Sequence, residues 1–328
     1  MRGSVVLTQT SLAHLKTVTP ADAASSLLSA PSTGAPERRY VLTLGCPDQT
    51  GIVAAISTFL ADIGGWITEA AYHSDPDSGW FFTRQAVRAD AVTISLAEMR
   101  SRFAELAAQW GPQTEWKVTD TGEPKSVVLL VSKESHCLTD LLGRATRGEL
   151  PATISAVVGN HLDLKDLTER FGVPFHHVPF TGPDGKSGAR AKRAAFDQVE
   201  ALVDGYSPDA VVLARFMQIL PPELCEAWTG RAINIHHSFL PSFVGARPYH
   251  QAFARGVKLI GATCHYVTAD LDAGPIIEQD VTRIDHSDAV VDMVHQGRDI
   301  ETLVLARGLR WHLEDRVLVH GRKTVVFS

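Results

Sequence analysis

The sequence predicts an α/β protein in two parts, a βαββαβ module followed by a doubly wound, mostly parallel sheet. Three observations carry that expectation. Residues 39–119 give a strand, a helix, two strands, a helix and a strand in about 80 positions. Residues 120–126, within the run TDTGEPKS, bring glycine, proline and charge together, as a linker does. From residue 127 onward strand and helix signals alternate singly, starting with the wholly apolar VVLLV of residues 127–131, which suits a parallel strand covered on both faces.

Composition narrows the function classes. A chain of 328 residues is comfortable for two domains. A net charge of −6 argues against a nucleic-acid partner, which calls for a basic surface. Cys46, Cys137, Cys225 and Cys264 are scattered without a CxxC pair, so they read as reduced thiols in a cytoplasmic setting. No apolar run approaches the ~18–20 residues of a membrane span, so no membrane partner is expected. Residues 1–38, rich in Ser, Thr, Ala and Pro, read as a disordered extension or the product of a misplaced start codon. With Arg2 as its only arginine before Arg38, that stretch suits a transit peptide poorly.

In the first module, residues 40–44 form a strand, and Ile52, Val53, Ile56, Phe59, Leu60 and Ile63 then recur at helical spacing. Gly64 and Gly65 end that helix. Strands at residues 67–73 and 80–87 flank the turn DPDSG, and a helix over 95–110 leads to a strand at 115–118. This order, with Pro47, Asp48 and Gly51 forming a PDxxG turn after the first strand, resembles the ferredoxin-like ACT domain, a small-molecule sensing module. Two readings of Asp48, Gln49, Thr50 and Gly51 stay open. Asp48 caps the next helix, or, as the resemblance implies, the turn receives an amino-acid effector or a second subunit.

In the second part (residues 127–328), helix and strand signals fall at 137–147, 153–158, 162–171, 174–178, 189–203 and 210–214. Pro221 and Pro222 open a short helix ending near Gly230, and strands follow at 232–236, 261–267 and 276–284. The chemistry is expected around AINIHHSFLPSFVGARP, residues 232–248. Alternation in a strand points Asn234 and His236 one way and Ile233 and Ile235 the other. The strand opens onto a loop with Pro241, Gly245 and Pro248, the kind of strand end where open α/β sheets bind ligands. An amide beside an imidazole suits a carbonyl oxygen that turns negative, and Asp272 is the best carboxylate to complete the set.

The runs NIHHSFLPSFVGARPYHQA, GATCHYV and LDAGPIIEQD, coupled to an ACT-like module, resemble the formyltetrahydrofolate deformylase family, whose catalytic part has the formyltransferase fold. The resemblance covers residue 40 to the end. It implies a catalytic trio of Asn234, His236 and Asp272. It further implies a folate site from Phe216, Met217, Gln218, Ile219, Leu220, Asp270, Leu271 and Gly274. Gln218 stands where the family suggests a basic residue, which puts a side-chain role there in doubt. The implied activity is hydrolysis of 10-formyltetrahydrofolate to tetrahydrofolate and formate, supplying purine synthesis and balancing the one-carbon pool. An amino-acid effector and a homo-oligomer paired through ACT-like sheets are implied as partners.

The roles also follow from chemistry. Asp272 can take a proton from water if burial raises its pKa, Asn234 can donate to an oxyanion, and His236 can donate or pass a proton to nitrogen. His237, His250, His265 and His286 show no metal-ligand spacing, and the reaction calls for no metal or prosthetic group. The stretch VSKESHCL, residues 131–138, lacks glycine, and Glu134 would repel a phosphorylated acceptor. Two alternatives are a formyltransferase with a small amine acceptor and a non-catalytic amino-acid sensor.

Overall fold

The computed structural model describes residues 37–182, 185–241 and 248–328; residues 1–36 of the expected extension and Gly245 lie outside the described residues. Arg38–Ser328 forms one compact unit. Its first sheet is built from β1 (Arg39–Pro47), β2 (Ile67–Asp75), β3 (Trp80–Arg88) and β4 (Glu115–Asp120) in the order β2-β3-β1-β4. Each neighbouring pair in the sheet whose register is given runs antiparallel, a ferredoxin-like layer. Helices α1 (Ile52–Asp62) and α2 (Leu96–Ala107) cover one face. Ile52, Ile56 and Leu60 of α1 meet Met99 and Phe103 of α2 over Leu42 and Leu44 of β1, the helical and strand periods meshing in one core. Ser95 caps α2 by accepting from the Glu98 N–H at 3.2 Å.

Asp48 does not cap α1. The cap position is Gly51, at φ 99°, with no side-chain bond to the helix. The Asp48 carboxylate instead accepts from the Ser74 hydroxyl, and its N–H donates to the Gly79 carbonyl at 2.8 Å. The turn is thereby tied to the β2–β3 hairpin.

The second sheet has the order β11-β10-β9-β8-β5-β6-β7. Strands β5 (Lys125–Val131), β6 (Ala152–Gly159), β7 (Phe175–His177), β8 (Ala210–Ala214) and β9 (Ala232–His236) run parallel, and β10 (Leu259–Tyr266) and β11 (Ile276–Arg283) extend the β9 edge antiparallel. Strand β5 begins at Lys125, two residues inside the expected linker. Its side chains alternate between two cores. Val127, Leu129 and Val131 face α3 (His136–Thr146) and α8 (Val290–Leu313), while Val128 and Leu130 face α5 (Ala189–Tyr206). The chain moves outward through β6 and β7 and then returns across the sheet to β8, so a switch point lies between β5 and β8. Short helices α4 (Lys165–Arg170), α6 (Pro222–Ala227) and α7 (Pro248–Arg255) and the hairpin β12 (Val317–His320) and β13 (Lys323–Val326) complete the described chain.

The C-terminal end of α8 is fastened to the first sheet. Arg84 of β3 pairs with Glu69 at 2.9 Å and donates to the Glu314 carbonyl at 3.1 Å. Asp315 takes Lys117 at 2.8 Å and Lys125 at 2.9 Å. Among the described residues no helix is long and apolar enough to cross a membrane.

Candidate active site

A cavity of about 840 Å³ opens where β8 and β9 end, within the size range of small-molecule sites. Its wall brings together Asn234, His236 and Asp272 from strand β9 and the loop between β10 and β11. As the alternation requires, Asn234 and His236 face the cavity half-buried and Ile233 packs into the core behind, while Ile235, in the same core, also touches the cavity. His236 Nδ1 lies 3.3 Å from Asp272 Oδ1. Asp272 sits at φ 54°, a left-handed conformation costly for a side-chain-bearing residue. Gly274 makes the loop feasible: a Cβ there would fall 1.8 Å from the Tyr266 carbonyl oxygen.

The sequence alone does not reveal His265, directly opposite Asn234 on β10. His265 Nδ1 donates to the Tyr266 carbonyl at 2.9 Å, so in the neutral ring Nε2 carries the lone pair. Asn234 Nδ2 therefore donates to His265 Nε2, at 3.2 Å. One amide hydrogen is thereby fixed, and the other is left for the cavity. Burial lowers the His265 pKa and keeps the ring neutral, so its 3.8 Å approach to Asp272 is not an ion pair. The available signal was the repeated polar alternation, Asn-x-His on β9 and Thr-x-His on β10, with Thr263 paired to His236. Thr263 in turn orders the loop after β9, donating to the Ser238 carbonyl at 2.9 Å and accepting from the Leu240 N–H at 3.0 Å.

Asp272 departs from the expectation of a raised pKa. The hydrogen bond from His236 and the neighbouring imidazoles outweigh burial and hold the carboxyl below its ordinary value. It is therefore an anion at neutral pH with lone pairs free to accept a proton, and a weaker base than burial alone would make it.

The other expected residues divide. Phe216, Met217, Gln218, Ile219 and Leu220 line the cavity, as does Leu271. Phe216 and Leu220 are buried anchors, whereas Met217, Ile219 and Leu271 are each more than half exposed and give the cavity an apolar lip. The Met217 N–H donates to the Ser132 hydroxyl at 2.9 Å, tying this loop to the end of β5. Asp270 and Gly274 are not part of the wall. Asp48, Gln49, Thr50 and Gly51 belong to the first sheet and take no part in the cavity.

Behind the trio lies a charged cluster. Glu301 of α8 is buried, 2.8 Å from His136 Nε2 and 3.3 Å from Arg215 Nε, and accepts from the Tyr249 hydroxyl at 2.7 Å. His136, Cys137 and Glu301 are close enough to share a cation. The Arg215 guanidinium already supplies positive charge at that carboxylate, which disfavours a metal there. Glu134 also reaches the cavity, where it pairs at 2.6 Å with Arg298, a second lining residue that offsets its charge.

Comparison with known proteins agrees with this architecture. The formyl transferase family model matches residues 125–309. The formyltetrahydrofolate deformylase of Bacillus subtilis (strain 168) is 46% identical over 288 residues, covering 88% of this chain and 93% of that one. The crystal structure of a formyltetrahydrofolate deformylase from Pseudomonas syringae pv. tomato is 55% identical, with a TM-score of 0.84, covering 89% of this chain and 95% of that one. The counterpart from Burkholderia mallei is 41% identical, with a TM-score of 0.81, covering 89% and 100%. With such identity sustained across both sheets, the chain belongs to the formyltetrahydrofolate deformylase family.

Proposed function

We propose that the protein hydrolyses 10-formyltetrahydrofolate with water, giving tetrahydrofolate and formate, and that Asn234, His236 and Asp272 carry the reaction. The observation that carries this reading is the convergence of an ionised carboxylate, an imidazole and an oriented amide on one cavity wall. Water adds to the formyl carbon as Asp272 takes its proton. The free Asn234 N–H stabilises the oxyanion, joined by Nε2–H of a protonated His236 whose Nδ1–H is held by Asp272. The C–N bond then breaks as His236 gives its Nε2 proton to N10, formic acid loses its proton to solvent and leaves as formate, and the proton taken by Asp272 restores His236. The Phe216–Leu220 loop and Leu271 give an aromatic ligand an apolar seat. Formate so released would feed purine synthesis and balance the one-carbon pool. The test is to incubate purified protein with 10-formyltetrahydrofolate alone and assay formate. Stoichiometric formate and tetrahydrofolate support the reading, and formate appearing only when an amine is added would replace it with transfer.

The same reading assigns residues 39–119 as an ACT-like sensing domain, 120–126 as linker and 127–328 as the catalytic domain, with 1–38 as an extension. An amino-acid effector would bind near Asp48, Gln49, Thr50 and Gly51. A homo-oligomer is supported by edge strand β2, where Ile67 and Tyr72 are exposed, as is Trp66 just before the strand. Four buried free thiols suit a cytoplasmic setting. Activity measured across a panel of free amino acids tests the sensor, and a response to none of them would remove it.

A further inference from the structure

His237 follows the proposed trio's histidine directly, and nothing in the reaction above uses it. Continued alternation would have turned it to the Ile235 side of the sheet. Strand β9 ends at His236, however, and the two rings lie stacked, with centroids 5.1 Å apart and planes at 19°, both on the cavity wall. A guanidinium nitrogen of Arg215, Nη1, donates to His237 Nδ1. A guanidinium only donates, so His237 Nδ1 is an acceptor, and the proton of the neutral ring sits on Nε2. Burial and the Arg215 charge hold the ring's pKa down at about 4.

Arg215 is itself constrained. It occupies φ 62° at the end of β8 and faces Glu301, which is fixed by His136 and Tyr249. Gly297, one turn before Glu301 on α8, leaves room for that tyrosine: a Cβ there would lie 2.1 Å from the Tyr249 hydroxyl oxygen. Four elements thus converge to hold one imidazole in one tautomer.

We propose that His237 is a further catalytic residue, a fixed uncharged Nε2–H donor to the oxygen of the reacting formyl group, with Arg215 and Glu301 as its positioning residues. A neutral donor gives the oxyanion a hydrogen bond without surrendering a proton to it, so it complements His236, which moves one. The inference rests on the hydrolytic reading, and wild-type formate release serves as the control that separates the two.

The experiment compares wild type, His237→Phe, His237→Gln, Arg215→Met and the double variant His237→Phe/Arg215→Met. His237→Phe is expected to lower kcat by about a hundredfold, with KM little changed. His237→Gln, which restores an N–H donor, recovers most of that loss. Arg215→Met lowers kcat on its own but adds little to His237→Phe, because both act through one hydrogen bond. Independently of any variant's folding, 15N imidazole shifts of the wild type are expected to report a neutral Nε2–H tautomer for His237 at pH 6. Formate release by wild type together with undiminished kcat in His237→Phe would overturn the proposal. So would full additivity of the two substitutions, or a wild-type His237 that is Nδ1–H or already charged at pH 6.

Discussion

Two arginines, Arg84 within the first sheet and Arg215 just past the end of β8 in the second, are drawn out of water beside a carboxylate, and they lead to different kinds of site. Arg84 pairs with Glu69 and spends its remaining donors on the Glu314 carbonyl, away from the cavity wall. Arg215 pairs with Glu301 through Nε and directs Nη1 to His237, and both side chains face the cavity. Burial and pairing are common to both, so neither feature alone marks function. What separates them is the second contact. A backbone carbonyl makes Arg84 a joint between layers, whereas an imidazole on the cavity wall makes Arg215 part of the chemistry.

That distinction can be broken experimentally, starting with the largest effect. Glu301→Ala leaves Arg215 buried without its counter-charge and should cost about 3–5 kcal/mol of stability; denaturant melts are the measurement, and a cost below about 1 kcal/mol would mean water already reaches the cluster. Asn234→Ala should lower kcat by about a hundred- to a thousandfold while folate affinity and melting temperature hold, as kinetics beside calorimetry would register. Arg84→Met should do the reverse. It loses about 1–3 kcal/mol of stability, since Arg316 still neutralises Glu69 at 2.8 Å, and it leaves kcat near wild type. A large kcat loss there would join the two arginines in one function.

The pH dependence sharpens the contrast. The Asp272 pKa is depressed in the folded protein, so the stability it contributes is complete above its unfolded value near about 3.9 and is lost as pH falls through its lower folded value. Replacing His236 with Asn removes the first cause of the depression, and the Asp272 carboxyl should then titrate at higher pH, readable by 13C carboxyl shifts. At the small end, Tyr72→Ser on exposed strand β2 should change monomer stability within about 0.5 kcal/mol, yet should weaken self-association seen by sedimentation if β2 is the proposed subunit contact.

What could be read from the sequence follows from how local each signal is. Strands 210–214 and 232–236 were legible to the residue because short apolar or alternating runs bounded by turns carry their own period. Asn234 and His236 came from that alternation, and Asp272 from its place in the run LDAGP. His265 escaped because its partner lies 31 residues away, across a strand pairing that no local pattern specifies. Glu301 escaped for another reason. Helix α8 carries Gly297 and Gly308 in its interior, where glycine weakens a helical signal. Contact explains both glycines: a Cβ at Gly308 would lie 2.5 Å from the Cys264 sulfur, as one at Gly297 would strike Tyr249. The expectation for Asp272 erred in sign because it weighed burial without the imidazole 3.3 Å away.

The most direct measurement is the turnover of Asp272→Asn with 10-formyltetrahydrofolate, read as formate release alongside folate binding by calorimetry. If an ionised carboxylate at the end of this sheet draws the proton from attacking water, kcat falls by at least about a hundredfold while binding persists. Formate released at the wild-type rate by that variant would contradict the account.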